Sequence, residues 1–210
     1  MKGLLLKDWY AIKNYCRAHI IMIVVFSIAS GMMKDNFFFT YYPCIFAGVI
    51  TMSLIAYEEK EKWEQYAATL PYTKAQMVSS KYIVSLCFGV FTILLNILTQ
   101  LVVMICLKNF DGESLLSILL VFMPLTLLPS AFLLPFIYKF GVNKGRIAYF
   151  IVLGFFCGTI GVMASNQTIS LLGKFPAPQT FISIMILIVS LVTYALSWLL
   201  SIQFYKNRAI

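Results

Sequence analysis

Residues 82–107 read YIVSLCFGVFTILLNILTQLVVMICL, a stretch without a single Asp, Glu, Lys or Arg. About 20 apolar residues in a helix suffice to cross the hydrocarbon core of a bilayer. The stretch therefore predicts a membrane-spanning helix. Working outward, the same test picks out 18–33 and 37–57 before it, and 115–138, 147–164 and 181–204 after it. Lys34 to Asn36 leaves room only for a tight turn. A polar segment fills 58–81, a basic link 139–146, a Pro-containing polar loop 165–180, and a short tail 205–210. The predicted fold class is an all-α membrane protein with six transmembrane helices, residues 1–210 forming a single transmembrane domain.

Composition agrees. Hydrophobic residues make up 61% of the 210 and charged residues 11%, where soluble domains carry about 45–50% and 25%. Too few charges are present to cover that much apolar surface in water. A soluble enzyme, a disordered tail and a disulfide-stapled secreted domain are excluded. Cys16, Cys44, Cys87, Cys106 and Cys157 contain no CxxC pair, so neither a zinc site nor a redox motif is supported. They read as small buried apolar residues. No cleavable signal peptide is expected, because residues of mixed character precede the first apolar run.

The net charge of +8 does not point to nucleic acid, because the basic residues lie between apolar runs. Thirteen of the 16 Lys and Arg fall in the N-terminal stretch, 58–81, 139–146 and the tail; Lys34, Lys108 and Lys174 occupy the alternate loops. The positive-inside rule then places both termini in the cytoplasm. Trp9 and Trp63 fall near the inner interface, where aromatic belts lie.

Residues 2–17 predict an amphipathic helix lying in the membrane surface. Leu4, Leu5, Trp9, Ile12 and Cys16 would form its apolar side, and Lys2, Lys7, Asp8, Asn14 and Arg17 much of the other. A plain extension of the first span is the alternative. The segment YEEKEKWEQYAATLPYTKAQMVSSK, Tyr57 to Lys81, is the longest cytoplasmic loop. Glu58 and Lys62 stand four apart, the favourable order for a helical ion pair. Trp63, Tyr66, Ala67 and Leu70 would line another face. Pro71 disfavours helix at Leu70, and Thr73 with Gln76 forms a capping-box pattern for the next helix. The loop therefore predicts helix, break, helix. Aromatic residues set among the charges suit a docking surface; a solvated charged loop is the plainer alternative.

Within the spans as drawn no Asp, Glu, Lys or Arg occurs, which argues against proton or sodium coupling. His19, at the inner edge of the first span, reads as a headgroup contact; the absence of other histidines argues against metal sites. Thr92, Asn96, Thr99 and Gln100 share one face of the third span and either line a transport path or bond to neighbouring helices. Pro124, Pro129 and Pro135 should bend the fourth span. Gly154, Gly158 and Gly161 form a small-xxx-small pattern for close helix packing. Asn166-Gln167-Thr168 is a weak glycosylation match. No GxxxxGK[ST] phosphate loop is present, and GVNKGR at Gly141–Arg146 has the wrong spacing.

The opening MKGLLLKDWY resembles that of small ABC-2-type transporter permeases. So does EEKxxWxxYxxxLP at Glu58–Pro71, followed by TKxxxVxSKY at Thr73–Tyr82. The six-span layout agrees over the whole chain. The resemblance implies a type V exporter-like fold in which an N-terminal interfacial helix enters the first span and a coupling helix docks on an ATP-binding subunit. Carried over, Glu58, Glu59, Lys60, Glu61, Lys62, Trp63, Glu64, Gln65 and Tyr66 would form the coupling surface. The stretch 165–180 resembles the family's short outer helices. The implied protein is not itself an enzyme and has no cofactor in this chain, ATP and Mg residing on the partner. The implied partners are two ABC ATPase subunits, a second copy or paralogue of this permease, membrane lipid, and an amphipathic peptide or hydrophobic cargo. The implied location is the bacterial cytoplasmic membrane.

Small permeases of this type include exporters of amphipathic peptides such as the phenol-soluble modulin exporters, so peptide export is the first expectation, with lipid-linked or drug cargo close behind. A ligand-capturing vitamin-uptake subunit is a second reading, which the charged 58–81 loop fits poorly. An intramembrane enzyme lacks a base or metal set to build from. A membrane anchor or assembly factor would carry a similar docking loop.

Overall fold

The computed structural model describes residues 2–32, 37–67, 69–107, 112–164 and 179–207. These form α1 (Lys2–Tyr15), α2 (Arg17–Met32), α3 (Phe37–Lys60), α4 (Trp63–Ala67), α5 (Lys74–Leu107), α6 (Gly112–Phe140), α7 (Val142–Ala164) and α8 (Gln179–Asn207). No strand occurs among the described residues. Within α3, α5, α6 and α8 lie four stretches long and apolar enough to cross a membrane; the pair α1 and α2, bent by 74° at its break, makes up to five if it is one span. The all-helical, multi-pass class read from hydropathy is therefore present. Lys34, Lys108, Lys174, the Asn166 sequon and all but the last two residues of the expected outer stretch 165–180 lie outside the described residues; residues 179 and 180 open α8.

The bend falls at Cys16, whose N–H still bonds to Ile12 O at 2.9 Å while its carbonyl accepts from Ile20 N at 3.2 Å. Leu4, Asp8 and Ile12, one turn apart, form the buried face of α1. Trp9 is 60% exposed and points away from the bundle. This corrects the expected faces: Asp8 belongs to the side facing the bundle and Trp9 to the opposite side. Cys16, Ile23, Ile50, Leu54, Val84 and Phe88 continue the core between α2, α3 and α5.

On the other side of the molecule the most extensive helix pairing is α6 with α8. Helix α6 runs through Pro124, Pro129 and Pro135. Proline 135 has no N–H to offer the carbonyl four residues earlier, and that carbonyl, Ala131 O, accepts instead from Ser197 Oγ on α8 at 2.5 Å. With its hydrogen so committed, Ser197 accepts from Tyr82 OH at 2.7 Å, and Tyr82 accepts from Ser201 Oγ at 2.7 Å. One unidirectional hydrogen-bond chain thus ties α5, α6 and α8 inside an apolar cluster of Val78, Leu127, Leu134 and Tyr194. Tyr82 also stacks on Trp198, centroids 5.5 Å apart, while the indole N–H donates to Ser79 Oγ at 3.0 Å. Buried polar groups in a membrane bundle need such partners.

The link between α6 and α7 explains the glycines of GVNKGR. Gly141 has φ of +83° and its N–H bonds to Ile137 O at 2.8 Å, the left-handed ending that glycine adopts without cost. At Gly145 a Cβ would stand 2.6 Å from Ile137 Cγ1, so α7 turns back against α6 only because that residue has no side chain.

Candidate functional site: a buried ion cluster beneath a short surface helix

The predicted single helix over 58–70 is instead two pieces. Helix α3 continues to Lys60, and Lys62 takes a left-handed φ of +53°. The short α4 then starts at Trp63, with Gln65 N–H bonding back to Lys62 O at 3.1 Å. The break and the restart of helix follow as read: Thr73 N–H donates to Gln76 Oε1 and Gln76 N–H to Thr73 Oγ1, both at 3.2 Å. This reciprocal box opens α5.

The Glu58–Lys62 pair does not form, because Glu58 turns inward. Lys81 Nζ donates to Glu58 Oε1 at 2.6 Å and to Asp8 Oδ1 at 2.7 Å. Lys7 Nζ lies 3.1 Å from Asp8 Oδ1 and also bonds to Glu58 Oε1. The side chains of Asp8, Lys81 and Glu58 are 0%, 7% and 11% exposed. Two cations and two anions thus balance, and three helices, α1, α3 and α5, meet on one ammonium group. Glu58 and Lys81 stand one residue outside the expected spans 37–57 and 82–107, and both belong to continuous helices whose apolar stretches run through them. Lys81 sits in the second turn of the continuous helix α5, whose apolar stretch spans Lys74–Cys106.

The surroundings extend the cluster. Lys7 Nζ lies 4.0 Å from the centroid of the Trp63 ring, a cation–π contact between α1 and α4. Trp63 in turn lies against Tyr66, centroids 5.4 Å apart. Glu59 Oε2 accepts from Val142 N–H at 3.2 Å, placing a carboxylate at the N-terminus of α7, where free N–H groups and the helix dipole favour negative charge. A cleft of about 40 Å³ lies among Lys7, Glu58, Trp63, Lys81, Tyr138 and Tyr205, room for water and not for an organic ligand.

Of the expected coupling residues, Glu58 is therefore internal, Glu59 caps α7, and Trp63 is half-buried. Lys60, Glu61, Lys62, Gln65 and Tyr66 are exposed, Tyr66 to 59%; Glu64 lies in α4. Lys7 and Asp8 were read only as the polar side of the first helix, and Lys81 only as the end of the loop, none of them as part of a site. The signal was present in Asp8, which repeats at four-residue spacing between Leu4 and Ile12 on one helix face.

The polar face of α5 is directed into the bundle at Thr92 and Asn96, which are 0% and 1% exposed. Thr92 Oγ1 donates to Phe88 O at 2.8 Å, Asn96 Nδ2 to Thr92 O at 2.9 Å, and Thr99 Oγ1 to Asn96 O at 2.8 Å. These side chains bond along their own helix; Thr99 and Gln100 are half-buried. His19 lies in the α2–α3 seam, with Nε2 at 3.4 Å from Ser53 Oγ and its ring stacked on Phe46. At Gly154 and Gly158 a Cβ would meet nothing within 4 Å, so among the described residues these glycines pack against no neighbouring helix. Gly161 follows in α7.

Comparison with curated proteins and with solved structures gives no match. The family model described as ABC-2 family transporter protein matches residues 3–206. It takes in α1, the ion cluster, α4 and every apolar helix, and the chain belongs to the ABC-2 family of transporter membrane proteins.

Proposed function

We propose that this chain is the permease subunit of an ATP-driven exporter, with six spans and both termini in the cytoplasm of a bacterial cell. Two copies, or this chain and a paralogue, form the path, and two separate ATPase subunits supply the energy. The cargo is an amphipathic peptide. The apolar and aromatic composition supports a cargo with an apolar face, and the absence of a phosphate loop supports an ATPase on another chain.

The observation that carries the reading is the position of α4. The end of α3, the break and α4 together turn Lys60, Glu61, Lys62, Gln65 and Tyr66 outward while Trp63 of α4 rests under Lys7 of the ion cluster. The outward face meets the ATPase, and the inward residue passes its movement to α1, α3 and α5. A ligand-induced shift needs such a differential contact between two states.

The test separates the two roles. Tyr66→Ala should weaken co-purification of the ATPase subunit, as loss of an exposed aromatic anchor does. Trp63→Ala should leave co-purification intact and lower export of peptide from cells or vesicles carrying both components. Full export with both substitutions together would refute the coupling assignment. Unchanged peptide release from cells lacking the permease would refute the cargo.

A further inference from the structure

The 74° elbow between α1 and α2 opens a groove of about 360 Å³ lined by Trp9, Ile12, Lys13, Arg17, Ile20 and Ile21. Its volume is that of a small-ligand site. We propose that this groove binds the acidic headgroup and upper acyl chain of one phospholipid from the leaflet on which α1 lies. The proposal rests on the chain's being a membrane protein and not on its pairing with an ATPase.

Charge complementarity identifies the occupant. Lys7 and Lys81 are neutralised by Asp8 and Glu58. Lys13 and Arg17, both exposed, have no carboxylate at ion-pair distance among the described residues. Arg17 Nε donates to Lys13 O at 2.5 Å and Nη2 to Asn14 Oδ1 at 3.4 Å. This holds the guanidinium at the end of α1 with its remaining N–H groups uncommitted among the described residues, and a guanidinium fork matches a phosphate. Directly beside the two cations stand Ile20 and Ile21, the latter 62% exposed, and Trp9 at 60%. A soluble anion would gain nothing from that apolar wall. An acidic lipid satisfies both halves, and basic pockets beside membrane helices select such lipids. The aromatic ring of Trp9 suits headgroup depth.

The experiment uses the full chain purified in neutral detergent and titrated with phosphatidylglycerol or phosphatidylcholine of the same acyl chains, with bound lipid counted by native mass spectrometry. Two cations facing one anionic headgroup should give a preference of roughly thirtyfold for phosphatidylglycerol. Lys13→Gln with Arg17→Gln should abolish it, and Arg17→Lys should keep most of it. Lys144→Gln with Arg146→Gln, an exposed basic pair on α7, should leave it unchanged. Should the first pair fail to assemble, Ile21→Glu sets an acidic group in the groove and should remove the preference in its place. Equal retention of the two lipids, a preference that survives these groove variants, or an equal loss in the α7 pair would overturn the proposal. So would displacement of the lipid by a soluble acidic peptide at matched concentration, which would assign the groove to a protein partner.

Discussion

Replacing Lys81 by Met tests the ion cluster most directly. The ammonium group holds Asp8 Oδ1 at 2.7 Å and Glu58 Oε1 at 2.6 Å, so its loss leaves two neighbouring carboxylates sharing Lys7. Asp8 is fully buried, and Lys7 is 27% exposed and partly screened by water. Removing one partner from a buried ion pair costs about 3–5 kcal/mol, because the remaining charge is left uncompensated. Lys81→Met should therefore lower the apparent melting temperature in detergent by the order of 10 °C. The rescue is specific. Asp8→Asn in the same chain restores neutrality, with Lys7 facing Glu58 alone. The double variant should recover about 2 kcal/mol of the loss, a coupling of the size expected between groups in direct contact. Asp8→Asn alone should destabilise, since it strands a cation. Strict additivity of the two substitutions, or a Lys81→Met protein within about 0.5 kcal/mol of the parent, would refute the reasoning and mean that the groups are solvated.

Three further outcomes follow from the packing. Tyr82→Phe removes the hydroxyl between Ser197 and Ser201 and should cost about 2 kcal/mol in unfolding free energy, most of which Ser201→Ala in the same chain should not add to. Gly145→Ala brings a Cβ to 2.6 Å from Ile137 Cγ1 and should destabilise by about 1–3 kcal/mol, with Ile137→Ala less costly in that background than in the parent. Gly158→Leu meets open space within the chain; melting temperature should stay put while cross-linking between copies falls if α7 forms the seam, and a loss of stability in the isolated chain would contradict the open surroundings.

The helices were legible because their apolar runs are long and bounded by charge. The helix restart at Thr73 was legible because a capping box is a local device, closed within four residues. The break at Lys62 was not, since nothing in EKEKWEQ distinguishes a lysine at positive φ from one in a helix. It arises where Glu58 is drawn inward by Lys81, a residue 23 positions away. Asp8 was assigned to the wrong face because its charge outweighed its register; Leu4, Asp8 and Ile12 share one stripe, and the carboxylate is tolerated there only because two lysines reach it. Span ends drawn where charge begins excluded Lys81 and Glu58 by construction. In the structure the helices α5 and α3 carry both residues inside the bundle. The family resemblance read on Glu58–Tyr82 was sound, but it grouped as one surface residues that the structure divides between outside and inside.

That division bears on why a transporter would join its helices with buried ions. Apolar contacts between α1, α3 and α5 would resist sliding only weakly, since one methyl surface substitutes for another. An ammonium group shared by two carboxylates permits no such substitution, because moving any one helix away strands a charge in a region with little water. Leu4, Ile12 and Leu54 supply the adhesion around the cluster, while Lys81 supplies the register. Trp63 rests on the Lys7 member of that joint, and Glu59 extends it to the start of α7. On the coupling proposed above, a push on α4 would reach α1, α3, α5 and α7 through these contacts, while Tyr82 and Ser197 tie α5 to α6 and α8. Helix α5 belongs to both groups, carrying Lys81 and Tyr82 in adjacent positions on its second turn. On that proposed coupling, it is the element along which movement at the charged end would pass into the bundle.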